Sequence, residues 1–169
     1  MSSTTPNEQS NFSLIMQKIP FPFPFSLGTD ILHLPRLHRL ILNKNGTCRT
    51  RFTRRVLHRL ESQELHSRHP TWREGSQLSA EKLKPVVQWI GGRWAAKEAA
   101  RKAIGATLLS WKDVRVERDE ATGKPGIIWS TPSEGIIAQE YEARLSISHD
   151  GDYVVATVLA TVPHLAPGK

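Results

Sequence analysis

One short stretch, Arg93 to Gly105, has the residue types that a metal–phosphate site needs. It reads as an alanine-rich helix in which a single acid, Glu98, is surrounded by bases. The four bases are Arg93, Lys97, Arg101 and Lys102. A carboxylate in this setting can bind a metal ion while the neighbouring cations neutralise a phosphate chain. The pattern also suits an ordinary exposed helix, in which a Glu98–Lys102 pair would contribute only about 0.3–0.5 kcal/mol.

Residue spacing sorts this helix into faces. Arg93, Lys97 and Arg101 recur every four residues and therefore share one face. Trp94, Glu98 and Lys102 form the adjacent row. A third face carries only alanines, which allows close packing against a sheet; these are Ala95, Ala96, Ala99 and Ala103.

Three other motifs carry candidate site residues. Asp30 follows Gly28-Thr29 at the end of a predicted strand, where it would either cap the next helix or bind a metal. Gly123-Lys124-Pro125 has the composition of a tight turn. Ser148-His149 ends another predicted strand, and His149 would either make a structural hydrogen bond or reach a phosphate or ribose. Each motif alone has an ordinary structural explanation.

The apolar pattern predicts the elements that hold these residues. One strand is expected over 25–31, followed by helices over 36–42, 51–66, 79–90 and 93–105. Asn45-Gly46 would close the first helix, 67–78 would form a loop, and Gly91-Gly92 would separate the last two helices. Strands are then expected over 111–118, 127–129, 145–149 and 153–162, with an Asp150-Gly151-Asp152 hairpin turn. This order predicts an α+β fold, an antiparallel sheet packed against helices with one long alanine-rich helix in the core.

Length and composition limit the alternatives. The 169 residues suffice for one domain, expected over 23–163 between a flexible N-terminal extension (1–22) and a C-terminal tail (164–169). No apolar run approaches the roughly 20 residues of a membrane span, so no membrane partner is expected. Cys48 is the only cysteine, which excludes an internal disulfide.

The chain is basic, and the bases are unevenly distributed. Its net charge is +7, and the segment from Arg36 to Arg73 holds ten bases but only two acids. Such a segment attracts polyanions or an acidic protein. One reading is therefore a basic RNA- or ribosome-associated binding protein without catalysis. The sequence lacks a glycine-rich phosphate loop and the aromatic strand motifs of RNA-reading sheets, so no nucleic-acid partner is expected.

Taken in order, the motifs resemble the holo-acyl-carrier-protein synthase family of 4′-phosphopantetheinyl transferases. The resemblance rests on Gly-Thr-Asp-Ile at 28–31, the Gly-Arg-Trp-Ala-Ala-Lys-Glu-Ala block from 92, Gly-Lys-Pro at 123–125 and Ser-Ile-Ser-His at 146–149. It implies a transferase-like fold and a Mg²⁺-dependent transfer of 4′-phosphopantetheine from coenzyme A to a serine of apo acyl carrier protein. Adenosine 3′,5′-bisphosphate would be released, and the product would serve fatty acid biosynthesis.

The same resemblance implies roles for individual residues. Asp30 and Glu98 would bind Mg²⁺, and Lys102 would stabilise or protonate the leaving phosphate. The general base would be either Glu98 or a water on the metal. The resemblance implies cofactor contacts for Arg93, Lys97, Gly123, Lys124, Pro125, Ser148 and His149. Arg36 and Arg39 would dock the carrier protein, with the basic helix predicted over 51–66 extending the patch.

The subtype and the compartment are also implied. Asp30 is followed by Ile31 and Leu32 rather than by a second acid, which resembles the short, single-repeat transferases. That subtype implies a homotrimer with active sites between protomers. The proline-rich N-terminal tail and the basic segment over 44–77 favour a fungal, mitochondrial relative. The tail holds Lys18 but no arginine, so both mitochondrial and cytoplasmic locations stay open, with the mitochondrion favoured.

Overall fold

The computed structural model describes residues 21–42, 47–73, 79–105, 107, 109–130 and 139–161. Within these ranges it has four α-helices and five β-strands, together with a 3-10 turn at Pro70–Arg73. The helices are α1 (Leu34–Leu42), α2 (Thr47–Val56), α3 (Arg59–Arg68) and α4 (Ala80–Ile104). The strands are β1 (Phe25–His33), β2 (Val114–Arg118), β3 (Pro125–Ser130), β4 (Glu140–Asp150) and β5 (Tyr153–Thr161).

All five strands form one antiparallel sheet in the order β1-β5-β4-β3-β2. Strands β4 and β5 form the predicted hairpin, and Gly151 adopts the left-handed conformation (φ +52°) that this tight turn requires. The predicted α+β fold is confirmed, although β1 and β4 are longer than the sequence pattern indicated. β1 lies at the edge of the sheet and pairs with β5 along its whole length.

Helix α4 packs across one face of the sheet, mainly against β1 and β5. Ala95, Ala96, Ala99 and Ala103 are buried as predicted, because small side chains let the helix approach the strands closely. The prediction that Gly91-Gly92 breaks this helix is wrong, since α4 is continuous from Ala80 to Ile104. A Cβ at Gly91 would come within 2.6 Å of Leu34 Cδ2. The glycine serves close packing, and the buried contacts offset its helix cost of about 1 kcal/mol.

The prediction of one helix over 51–66 is also wrong, because the chain forms two helices there. His58 adopts an extended conformation (φ −62°, ψ 159°) between α2 and α3. Its side chain accepts the Leu60 N–H, and the Glu61 side chain accepts the His58 N–H, which is the reciprocal pattern of a capping box. This local pairing starts a new helix where apolar periodicity alone continues the old one.

Helix α1 buries Leu34, Leu37 and Ile41, whereas Leu40 is 39% exposed. No described helix combines the length and hydropathy of a membrane span. The Asn45-Gly46 turn, most of the N-terminal extension, the C-terminal tail and residues 74–78 of the predicted loop lie outside the described residues. The domain limits of 23 and 163 stay predictions.

Candidate active site

Asp30 lies on the face of β1 that meets helix α4. Gly28, two residues earlier on the same face, approaches α4 so closely that a Cβ there would lie 2.0 Å from the Ala99 carbonyl oxygen. Lys102 Nζ donates to Asp30 Oδ1 at 2.8 Å and to the Thr29 carbonyl oxygen at 2.8 Å. Because Asp30 lies within β1, four residues before α1 begins, it does not cap that helix.

Glu98 lies one turn before Lys102 on α4. Its Oε1 atom accepts a short hydrogen bond from the indole Nε1 of Trp111 and a longer contact, 3.4 Å, from Arg101. The side chain is 27% exposed. The expected Glu98–Lys102 pair is not among the ion pairs of the described residues, since Lys102 turns to Asp30 instead. Lys102 thus links the Asp30 carboxylate to α4, one helical turn after Glu98.

These two carboxylates fit a hard cation such as Mg²⁺. Both side chains are partly exposed, and Lys102 lies beside Asp30 while the Trp111 N–H lies beside Glu98. Within the described residues, no group of three or more His, Cys, Asp or Glu side chains is close enough to share an ion. A two-carboxylate site still suits Mg²⁺, because this ion keeps several waters and takes substrate phosphate oxygens as ligands.

Lys97 is the clearest correction to the predicted site. Its side chain is fully buried, and its Nζ atom lies 2.6 Å from Glu61 Oε2. The same ammonium donates to the carbonyl oxygens of Val56 (2.8 Å) and Trp111 (2.9 Å). Burial lowers the pKa of Lys97, against the attraction of Glu61. All three donors of the ammonium have protein partners, so the predicted phosphate contact does not agree with this geometry.

Arg93 lines a cavity of about 540 Å³ between α4 and the sheet. The cavity brings Arg93 together with Pro125 and His149, three residues that are far apart in the sequence. It also holds Arg118, which the sequence motifs did not single out. Its other lining residues are Gln88, Trp89, Gly92, Val116 and Ile147. Two arginines and a histidine around one cavity make it suitable for an anionic ligand.

Two protein contacts hold the Arg93 guanidinium. It lies 3.4 Å from the centre of the Trp89 ring, and its NH2 group bonds Glu64 Oε2 at 2.7 Å. Burial lowers the pKa of Arg93, while Glu64 opposes that effect. A side chain anchored on both sides needs little reorganisation to meet a ligand.

The remaining predicted cofactor residues lie outside that cavity. Gly123 has a left-handed conformation (φ +67°) in the turn before β3, and its carbonyl oxygen accepts from Arg118 at 3.0 Å. Lys124 is exposed beside it. Ser148 points to the opposite face of the sheet from His149, because neighbouring strand residues alternate. The structure therefore separates Ser148 from His149, which the sequence motif had grouped.

A second, strongly basic cavity of about 570 Å³ lies beside α2. Trp111 forms part of its wall, and the cations that line it are Arg51, Arg54, Arg55, Arg101 and Lys112. The predicted docking residues Arg36 and Arg39 are exposed on α1. Sequence reasoning placed Trp111 only at the start of a strand, since its partner Glu98 is 13 residues away and no motif links them.

Comparison with known proteins gives one consistent result. A sequence model of the 4′-phosphopantetheinyl transferase superfamily matches residues 26–158. The mitochondrial 4′-phosphopantetheinyl transferase B of Aspergillus fumigatus is 47% identical over 153 residues, covering 86% of this chain and 99% of that protein. The holo-ACP-synthase of Plasmodium yoelii has a TM-score of 0.57 and 25% identity, covering 82% of this chain and 95% of that chain. A Bacillus anthracis holo-(acyl-carrier-protein) synthase in complex with CoA (3′,5′-ADP) has a TM-score of 0.51 and 28% identity, covering 79% and 93%.

Proposed function

Because the chain belongs to the 4′-phosphopantetheinyl transferase superfamily and is an enzyme of the holo-acyl-carrier-protein synthase type, we propose that it transfers 4′-phosphopantetheine from coenzyme A to apo acyl carrier protein. Adenosine 3′,5′-bisphosphate is the second product. One observation carries this proposal for the residues of this chain. Helix α4 presents Arg93 to a cavity shared with His149, and further along it presents Lys102, one turn after Glu98, to Asp30.

The cavity around Arg93 is the proposed site for coenzyme A. Its volume of about 540 Å³ lies within the range of roughly 300–1,000 Å³ typical of ligand pockets. Arg93, Arg118 and His149 offer donors to phosphate oxygens, and Pro125 contributes an apolar wall. The related Bacillus anthracis structure, in complex with CoA (3′,5′-ADP), supports this class of ligand.

The reacting end of coenzyme A is assigned to Asp30, Glu98 and Lys102. Asp30 and Glu98 would hold Mg²⁺, which when bound supplies positive charge against the pyrophosphate oxygens. The Lys102 side chain is 52% exposed. Its ammonium can therefore turn from Asp30 towards the leaving adenosine phosphate, where it stabilises the developing charge or delivers a proton.

The transfer requires one bond to form and one to break. The hydroxyl oxygen of the carrier serine attacks the phosphorus of the phosphopantetheine group. The bond from that phosphorus to the bridging oxygen of the pyrophosphate breaks, and the electron pair leaves on the adenosine phosphate. The serine proton passes to Glu98 or to water held at Asp30. Fixed cations then stabilise a transition state whose charge lies mainly on phosphate oxygens.

An acidic carrier protein is proposed to dock on α1 and α2. Arg36 and Arg39 project from α1 into solvent, and the arginine-lined cavity adjoins α2. Trp111 connects this basic surface to Glu98, so a carrier bound there has its serine close to the proposed metal site. Complementary charge of this kind mainly raises the association rate.

We also propose a homotrimer, with the sheet face away from α4 at the subunit contacts. That face exposes large apolar side chains on β1 and β5, which are Phe25, Leu27, Ile31, Tyr153 and Leu159. Exposed apolar patches of this kind mark association surfaces. Size-exclusion chromatography with light scattering should give three times the chain mass. An L27D substitution, which puts a charge in the patch, should shift the mass towards the monomer; an unchanged mass would exclude this face as the contact.

The proposed compartment is the mitochondrion, where the product would serve fatty acid biosynthesis. The relative with 47% identity is a mitochondrial transferase. A fluorescent protein fused after residue 169 should colocalise with a mitochondrial marker. Diffuse fluorescence throughout the cytosol would refute this assignment without affecting the proposed reaction.

The central experiment incubates the protein with coenzyme A, Mg²⁺ and an apo acyl carrier protein. Mass spectrometry should show the carrier gaining one phosphopantetheine group, and a chelator should prevent the gain. Glu98→Gln should abolish transfer while circular dichroism stays that of the wild type, whereas Glu142→Gln, on the opposite face of the sheet, should remain active. No mass gain, together with RNA binding that weakens steeply with salt, would favour the basic binding protein instead.

A further inference from the structure

Trp111 donates a hydrogen bond to the proposed catalytic carboxylate. Its indole N–H donates to Glu98 Oε1, whereas Arg101 reaches the same oxygen only at 3.4 Å. Both hydrogen bonds that Glu98 accepts from described residues end on Oε1. Neither of these two bonds uses Oε2.

Three hydrogen bonds hold the segment that carries this indole. The buried ammonium of Lys97 donates to the Trp111 carbonyl oxygen at 2.9 Å. On either side, Arg101 Nε donates to the Leu109 carbonyl oxygen at 3.0 Å, and Ser130 N donates to the Asp113 carbonyl oxygen at 3.0 Å. The main chain of Trp111 is therefore tied both to α4 and to the end of β3.

The indole ring is also held from its faces. The guanidinium of Arg55 lies 5.1 Å from the ring centre and that of Arg101 lies 5.4 Å away. Contacts of this kind favour one ring orientation by cation–π attraction. With the main chain pinned and the ring flanked, the N–H has a fixed direction towards Glu98.

We propose that Trp111 is a positioning residue, whose indole N–H orients the Glu98 carboxylate for the divalent cation. This inference rests on the proposed function. Lys97 acts indirectly, because its buried ammonium donates a hydrogen bond that holds the main chain of Trp111. Hydrogen-bond donors to metal-binding side chains commonly change metal affinity by about 10–100-fold when they are removed.

The test uses Trp111→Phe, which removes the N–H and keeps an aromatic ring between the two arginines. Mn²⁺, a hard cation that also prefers oxygen ligands, serves as the probe. We expect Mn²⁺ binding, measured by electron paramagnetic resonance without substrates, to weaken about tenfold. The Mg²⁺ concentration for half-maximal transfer should rise by a similar factor, and excess Mg²⁺ should restore most of the rate.

Trp94→Phe is the matched control. Trp94 lies on α4, one turn before Glu98. Its side chain is partly buried, and its ring centre lies 4.8 Å from that of Phe52. Its indole nitrogen has no hydrogen-bond partner among the described residues. The same change of side chain there should leave Mn²⁺ affinity within about twofold of the wild type, since no directed hydrogen bond is lost.

The outcomes separate the inference from the proposed function. If wild-type protein binds Mn²⁺ and transfers phosphopantetheine but Trp111→Phe matches it in both measurements, the positioning role is refuted. If wild-type protein transfers nothing, the proposed function fails instead. Should Trp111→Phe not fold, nitrogen-15 NMR of the wild type decides: one of five indole signals must shift as Mg²⁺ saturates Glu98, and the shift must vanish in Glu98→Gln.

Discussion

Replacing Lys97 with methionine tests the buried ion pair beneath the proposed site. The side chains of Lys97 and Glu61 are 0% and 2% exposed, and their charged atoms are 2.6 Å apart. Methionine fills similar space but leaves the Glu61 carboxylate buried without its cation. Breaking a buried pair by removing one partner costs about 3–5 kcal/mol.

The neighbouring backbone explains why a simple apolar replacement of the pair should not help. Glu61 also accepts N–H groups from His58 and Val116, each at 2.9 Å, and Lys97 donates to two carbonyl oxygens. Removing both side chains would leave four buried or partly buried backbone groups without these partners, at up to about 1–3 kcal/mol each. We therefore expect Lys97→Met combined with Glu61→Leu to stay well below the stability of the wild type.

The assay is urea unfolding at one fixed protein concentration, because association of subunits alters apparent stability. Lys97→Met should lose about 3–5 kcal/mol and its melting temperature should fall by roughly 6–20 °C. Arg144→Met is the control, since the Arg144–Glu142 pair is 3.2 Å long but 84% and 60% exposed and should contribute nothing measurable. A loss below about 1 kcal/mol for Lys97→Met, or a double variant as stable as the wild type, would refute this reasoning.

Three further predictions concern the strand contact, pH and docking. Gly28→Ala should destabilise the folded protein by about 3 kcal/mol or more, because its Cβ would lie 2.0 Å from a carbonyl oxygen of α4. Gly126→Ala is the control: its Cβ would meet nothing closer than 3.8 Å, so the same thermal melts should show that this change is tolerated. Burial, followed by repulsion from nearby cations, lowers the pKa of His58 below its ordinary 6.5. The His58 ring is therefore protonated at a lower pH in the folded state than in the unfolded state, so the free energy of unfolding should fall as the pH drops through 6.5. Urea titrations should show a smaller fall for His58→Asn, which keeps a capping oxygen. Arg36→Glu should raise the KM for the carrier protein several-fold in steady-state assays and leave that for coenzyme A unchanged; an equal rise in both would argue against docking at α1.

Much of the fold followed from local signals that tertiary contacts do not reverse. The alanine face of α4 and the alternation of valines with charged residues in β2 each describe a buried surface directly. The turn at Gly151 was equally readable, because few other sequences permit a left-handed tight turn. Gly91-Gly92 was wrongly predicted to separate two helices, because the poor helix propensity of glycine is a weak local effect. The packing that outweighs it involves the Leu34 side chain, which lies 57 residues earlier in the sequence.

The site divides in a similar way. Glu98 was selected as a single acid among bases, and Asp30 as an acid at the end of a predicted strand; their role as metal ligands stays a prediction. Lys97 shares the helical periodicity of Arg93, so the sequence predicted a phosphate contact for both. Only the buried Glu61 distinguishes Lys97 from Arg93. The separation of Ser148 from His149 follows from strand alternation. The proposed role of Trp111 depends on its hydrogen bond to Glu98, which forms only in the folded chain.

The continuity of α4 restricts which changes in chain length the protein can accept. Arg93 and Lys102 are nine residues apart on one unbroken helix, so their separation along the axis is about 13.5 Å. One inserted or deleted residue between them would rotate Lys102 by about 100° relative to Arg93 and turn it away from Asp30. We therefore expect this stretch to vary by substitution but not by insertion or deletion, and a relative with an alignment gap inside it should lack the proposed site.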